Sequence, residues 1–76
     1  MTGLNNLKRD KVIRTLQHLG WAIEREGGKH TIMRHQAYPD VQLTIPRHKA
    51  IAPGTLRAML KEVGLTLDTF LSEYNS

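Results

Sequence analysis

The chain contains no cysteine. Disulfides are excluded, and so are metal sites built on thiolates. A small domain without disulfide staples is expected in a reducing cytoplasm. Aromatic residues are scarce: only Trp21, Tyr38, Phe70 and Tyr74 occur. A platform that stacks single-stranded bases ordinarily uses more. No apolar run approaches the roughly 20 residues that cross a bilayer. The opening MTGLNNLKRD lacks the apolar stretch of a secretory signal. The expectations are a cytoplasmic protein and no membrane partner.

The length, 76 residues, predicts a single domain spanning 1–76. A chain this short buries only about 60% of the surface that it exposes when unfolded. It has no room for a deep active-site cavity beside a cofactor domain. A substrate must be met on the surface or in a shallow groove. The formal net charge is +4, which suits a polyanion such as nucleic acid, or an acidic protein.

Periodicity supplies the elements. In KRDKVIRTLQHLGW, residues Val12, Ile13, Leu16 and Leu19 share a helical face, and Lys8, Arg9, Lys11 and Arg14 stay off it. Gly20 suits the left-handed residue that ends such a helix. WAIERE alternates as a strand, with Trp21 and Ile23 on one face and Ala22, Glu24 and Glu26 on the other. Gly27-Gly28 signals a turn. HTIMRH reads as a second strand of ambiguous parity, because Ile32 and Met33 are both apolar. After the loop QAYPD, VQLTIP alternates with Val41, Leu43 and Ile45 inward, and Pro46 ends it. RHKAIA connects to a second helix, which Pro53 opens. Its buried stripe is Leu56, Met59, Leu60 and Val63, and Gly64 stops it. Thr66 is placed to cap a last short helix containing Phe70 and Leu71. The fold class is α+β, in the order α-β-β-β-α with a terminal helical turn. A three-stranded antiparallel sheet carries both long helices on one face. That is the layout of double-stranded-RNA-binding folds, and a layout alone does not establish function.

His30 is the first candidate for chemistry. It follows two glycines, which leave its imidazole unobstructed. Histidine can take or give a proton near neutral pH. Lys29 and Arg34 are near enough in sequence to screen phosphate charge. The competing reading is a polar residue at a strand end, with no further role. His48 lies in PRHK, between Arg47 and Lys49. It reads as a phosphate contact, a second acid–base group or a solvated loop residue.

From helix to helix the chain resembles the HicA toxin family, small ribonucleases (mRNA interferases) of toxin–antitoxin pairs. KRDKVIRTLQHLGW is similar to the family's first helix with its Gly-Trp or Gly-Phe end. GGKHTIMRH is similar to its Gly-x-His strand start. IPRH followed by PGTLRAMLKEVGLT is similar to its second helix. The resemblance implies a double-stranded-RNA-binding-like fold, cleavage of mRNA, and neutralisation by a HicB-type antitoxin. It implies that the catalytic histidine is His30. Lys29 departs from the serine or glycine that often precedes that histidine, and QAYPD departs from the usual hairpin. The expected RNA contacts are Lys29, Arg34, Arg47, His48 and Lys49.

The other residues read as structural. His18 lies beside the apolar stripe, and His35 ends a strand. No His-Glu-x-x-His and no histidine pair at i,i+4 is present, so neither a metal nor another cofactor is expected. Glu24 and Glu26 are a solvated strand face rather than a glycosidase pair, and Trp21 belongs to the core. The Lys8, Arg9, Lys11 and Arg14 cluster is a solvated helix face that could also track phosphates or meet an acidic partner. The economical mechanism attacks phosphorus with the ribose 2′-OH. His30 is general base or acid, and Lys29, Arg34 or Arg47 offsets charge. Two other readings use the same features: a non-catalytic double-stranded-RNA-binding module, and a protein-interaction module with an acidic partner.

Overall fold

The computed structural model describes residues 6–76. The first residues of the segment read above as lacking a signal, and of the expected domain, lie outside the described residues. The elements are β1 (Leu7–Lys8), α1 (Arg9–His18), β2 (Ala22–Glu26), β3 (His30–Arg34), β4 (Leu43–Pro46), β5 (Ala50–Ile51), α2 (Pro53–Glu62) and α3 (Leu67–Tyr74). Strands β2, β3 and β4 form an antiparallel sheet in sequence order, and β1 pairs with β5 in a separate antiparallel ribbon. The α-β-β-β-α order is therefore present. The connector RHKAIA differs from expectation, because its last part is β5. Two-residue strands carry no periodic signal, so that ribbon is invisible in the sequence.

Parity in β3 is settled by burial. Thr31 and Met33 point inward and are fully buried, whereas His30 is exposed and Ile32 and Arg34 are half-buried. In β4, Leu43 and Ile45 are buried beside them. Those four residues make the inner face of the sheet. Val12 and Leu16 of α1, Leu56, Met59 and Leu60 of α2 and Phe70 of α3 close over it in one apolar cluster. Val63 is buried as its spacing requires. Val41 precedes β4 and is only half-buried against that cluster.

Helix ends follow sequence chemistry. Gly20 has φ 102° and Gly64 has φ 69°. Both lie in the region where a Cβ is disfavoured, and both stand just beyond a helix. The Thr66 hydroxyl accepts a bond from the Thr69 N–H at 3.1 Å, which caps α3.

Two expectations are corrected. Trp21 is buried, and Ile23 stands opposite the inward Met33, yet at the sheet edge it stays 39% exposed. Strand β2 starts after Trp21, lies at the sheet edge, and shifts register between Ile23 and Arg25. That irregularity sets Ala22 opposite the outward Arg34 but Glu26 opposite the inward Thr31, so Ala22, Glu24 and Glu26 do not share one face as the alternation predicted. Arg9 does not stay off the structure as a solvated cation. Its side chain is only 15% exposed. Its Nε donates to the Pro46 carbonyl at 3.0 Å, and its guanidinium also donates to the Thr31 hydroxyl.

Candidate functional site

His30 opens β3 directly after the β2–β3 turn. The Gly27 N–H closes that turn by donating to the His30 carbonyl at 2.8 Å. Neither Gly27 nor Gly28 has a positive φ. Nothing lies within 4 Å of where a Cβ on Gly28 would stand. The missing side chain therefore leaves open space beside His30, not a special backbone shape.

Register brings the next strand in. His30 stands opposite Pro46 in the β3–β4 ladder. The residues just after Pro46 consequently arrive beside the histidine. The Arg47 N–H donates to the Lys29 carbonyl at 3.1 Å, and its guanidinium donates to the Gly27 carbonyl at 3.2 Å. The result is an open pocket of about 300 Å³ whose wall includes Lys29, His30, Arg47 and His48. Two imidazoles and two cations thus meet on one surface, and all four residues are exposed.

A larger groove adjoins it. About 590 Å³ lies between the start of α1 and the β4–β5 loop. Arg47 and His48 line both spaces. Lys49 lines the groove alone, so it joins the site from its far side. Arg34 is not brought together with His30. It ends the same strand four residues away, roughly 13 Å at the usual rise. Its guanidinium is held by Glu24 at 3.1 Å, the Pro39 carbonyl at 3.3 Å and Gln42 at 3.2 Å.

Glu24 and Glu26 each face an arginine. Glu24 pairs with Arg34, and Glu26 lies 3.8 Å from Arg47. His18 is exposed and lies 3.1 Å from Glu73 of α3. His35 is more than a strand-end polar residue. Its Nδ1 accepts from the Ala37 N–H at 2.9 Å, which leaves Nε2 to donate to the Leu19 carbonyl at 3.2 Å. Its ring meets Trp21 and Tyr38 edge-on, each at 5.2 Å. These bonds make His35 a clamp between the end of α1 and the loop after β3. Among the described residues, no three histidine or carboxylate side chains converge as a metal site would need.

Arg9 is the site residue that sequence reasoning missed. By gripping Thr31 and Pro46, it braces the two strands at the rung that carries His30. Its backbone N–H also donates to the Lys49 carbonyl at 2.9 Å. No local pattern signals this, because Arg9's partners lie 22 and 37 residues away.

Among the described residues, no helix is long and apolar enough to cross a membrane. No curated protein matches the chain. The family model described as "HicA toxin of bacterial toxin-antitoxin" matches residues 9–65 of the 76. That span runs from α1 through α2 and includes the whole His30 surface. Toxins of such pairs are by definition partnered by an antitoxin. By this match over most of its length, the chain belongs to the HicA toxin family.

Proposed function

We propose that this toxin is a metal-independent endoribonuclease that cuts mRNA in the cytoplasm, and that a HicB-type antitoxin silences it. The observation that carries the reading is the pocket where His30, His48, Lys29 and Arg47 stand together. One histidine cannot both remove and supply a proton in a single displacement. Two histidines on one wall can divide that work.

In this reading the ribose 2′-OH loses its proton to one imidazole and its oxygen attacks the adjacent phosphorus. The O2′–P bond forms and the P–O5′ bond breaks. The other imidazole, protonated, gives its proton to the departing 5′ oxygen. The products are a 2′,3′-cyclic phosphate and a 5′-hydroxyl. Lys29 and Arg47 offset charge on the phosphoryl oxygens, His48 touches the RNA at the scissile phosphate as one of the two imidazoles, and Lys49 holds the adjoining backbone. Arg34, expected as another phosphate contact, contributes by shaping the loop after β3, since each of its three nitrogens already donates within the protein. The open pocket admits a long strand, so no end of the RNA need be threaded.

The test is a cleavage gel with wild-type protein and His30→Ala, with circular dichroism run alongside. Loss of cleavage in a folded variant is the expected result. Full activity in that variant would remove His30 from the chemistry.

A further inference from the structure

A strand held at His30 has two ways off the site. One crosses the outer face of the sheet, past Arg25 and Ile32, through a shallow space of about 260 Å³. The other follows the β4–β5 loop into the larger groove beside α1. Their charge differs. Beyond Lys29 and Arg25, the sheet face offers the half-buried apolar Ile32 and one carboxylate, Glu24, already paired with Arg34, while Glu26 stands opposite the inward Thr31 and faces Arg47. The groove is lined by Lys8, Lys11, Arg14, Arg47 and Lys49, with Asp10 its one acid.

All of those cations but Arg47 are available. Among the described residues, Lys8, Lys11, Arg14 and Lys49 have no carboxylate within 4.0 Å. Asp10 lies 3.7 Å from Arg9. The wall is also firm. The Lys8 N–H donates to the Tyr74 hydroxyl at 3.2 Å, and the Lys11 ammonium sits 4.5 Å from the centre of the Tyr74 ring. Tyr74 of α3 thereby fixes the start of α1, while Arg9 ties it to the loop opposite.

We infer that the groove between α1 and the β4–β5 loop is an RNA-backbone site that carries the strand away from the cleavage pocket, with Lys8 and Arg14 as phosphate contacts. This rests on the ribonuclease reading above for its substrate. Its chemistry is that of a single strand bound through phosphates without base readout, because the groove is basic and no tryptophan, tyrosine or phenylalanine lines it. The sheet face carries no such path.

The experiment measures binding without cleavage. His30→Ala protein is titrated with a long, fully 2′-O-methylated oligonucleotide at several salt concentrations. Each phosphate contact to a single strand adds about 0.7 to the slope of log affinity against log salt. Adding Lys8→Gln with Arg14→Gln should therefore lower the slope by about 1.4. Arg25→Gln, on the other route, should leave it unchanged. An unchanged slope in the groove variant, or an equal fall with Arg25→Gln, overturns the inference. So does a groove variant that binds RNA normally but loses the antitoxin, which would assign the groove to an acidic protein. Cleavage by the wild type is scored separately. Its absence would overturn the proposed activity and leave the slope to decide the groove.

Discussion

Arg9 reaches across the molecule to Pro46, the residue opposite His30, and donates to its carbonyl at 3.0 Å. The same guanidinium serves the Thr31 hydroxyl, and Thr31 has no exposed surface. A lysine has one ammonium and no planar fork, so it cannot reproduce both bonds in that geometry. Arg9→Lys leaves a buried hydroxyl short of a donor, at a cost of about 1–3 kcal/mol. Urea denaturation should show that loss, and cleavage should fall with the looser His30 rung. An unchanged midpoint would show that the brace carries no stability.

Gly20 tests a second contact. A Cβ placed there would overlap the His35 ring, and φ at that position is 102°. Gly20→Ala combines a left-handed penalty of about 1–2 kcal/mol with displacement of a clamp. The expected result is a lower melting temperature together with changed tryptophan fluorescence, because His35 lies edge-on to Trp21. A variant that melts like the wild type would contradict the packing described at this corner.

The division of labour between the two histidines is separable by the leaving group. His30→Ala and His48→Ala should each slow cleavage of ordinary RNA by about 10²–10⁴-fold. A substrate whose bridging 5′ oxygen is replaced by sulfur expels a thiolate, which needs no proton. One variant, the one lacking the general acid, should recover most of its rate on that substrate. Recovery of both variants, or of neither, would contradict a two-histidine mechanism.

Much of this was legible in the sequence. The stripe Leu56, Met59, Leu60 and Val63 is buried as its spacing requires, and Thr66 caps α3 as its position suggests. Met33, not Ile32, faces the core; the sequence left that open because both are apolar. The exposure of Ile23 could not be read, since β2 is an edge strand, nor could the register shift after it, which moves Glu26 off the face of Ala22. The grouping of His30 with Arg47 and His48 depends on β3–β4 register, which no local pattern encodes. Arg34 shares a strand with His30 and looks close in sequence, yet strand rise carries it to the opposite end. Arg9 and His35 owe their roles to long-range hydrogen bonds, which leave no periodic trace.

Silencing should proceed by direct cover. The pocket is shallow and basic, so an antitoxin that places acidic or polar groups on Lys29 and His30 competes with RNA for one face. Their association should weaken as salt rises. Titrating the cognate antitoxin into His30→Ala protein bound to uncleavable RNA should release the RNA. A stable ternary complex with unchanged RNA affinity would show that inhibition acts elsewhere.

The central claim is that side chains, not a metal, drive attack by the 2′-OH. The most direct measurement incubates purified toxin with end-labelled RNA in excess EDTA and analyses the termini. The account expects full cleavage, 2′,3′-cyclic phosphate and 5′-hydroxyl ends, and no cut at a linkage carrying a 2′-O-methyl group. Loss of activity with chelator, 5′-phosphate ends, or cleavage at the blocked linkage would contradict it.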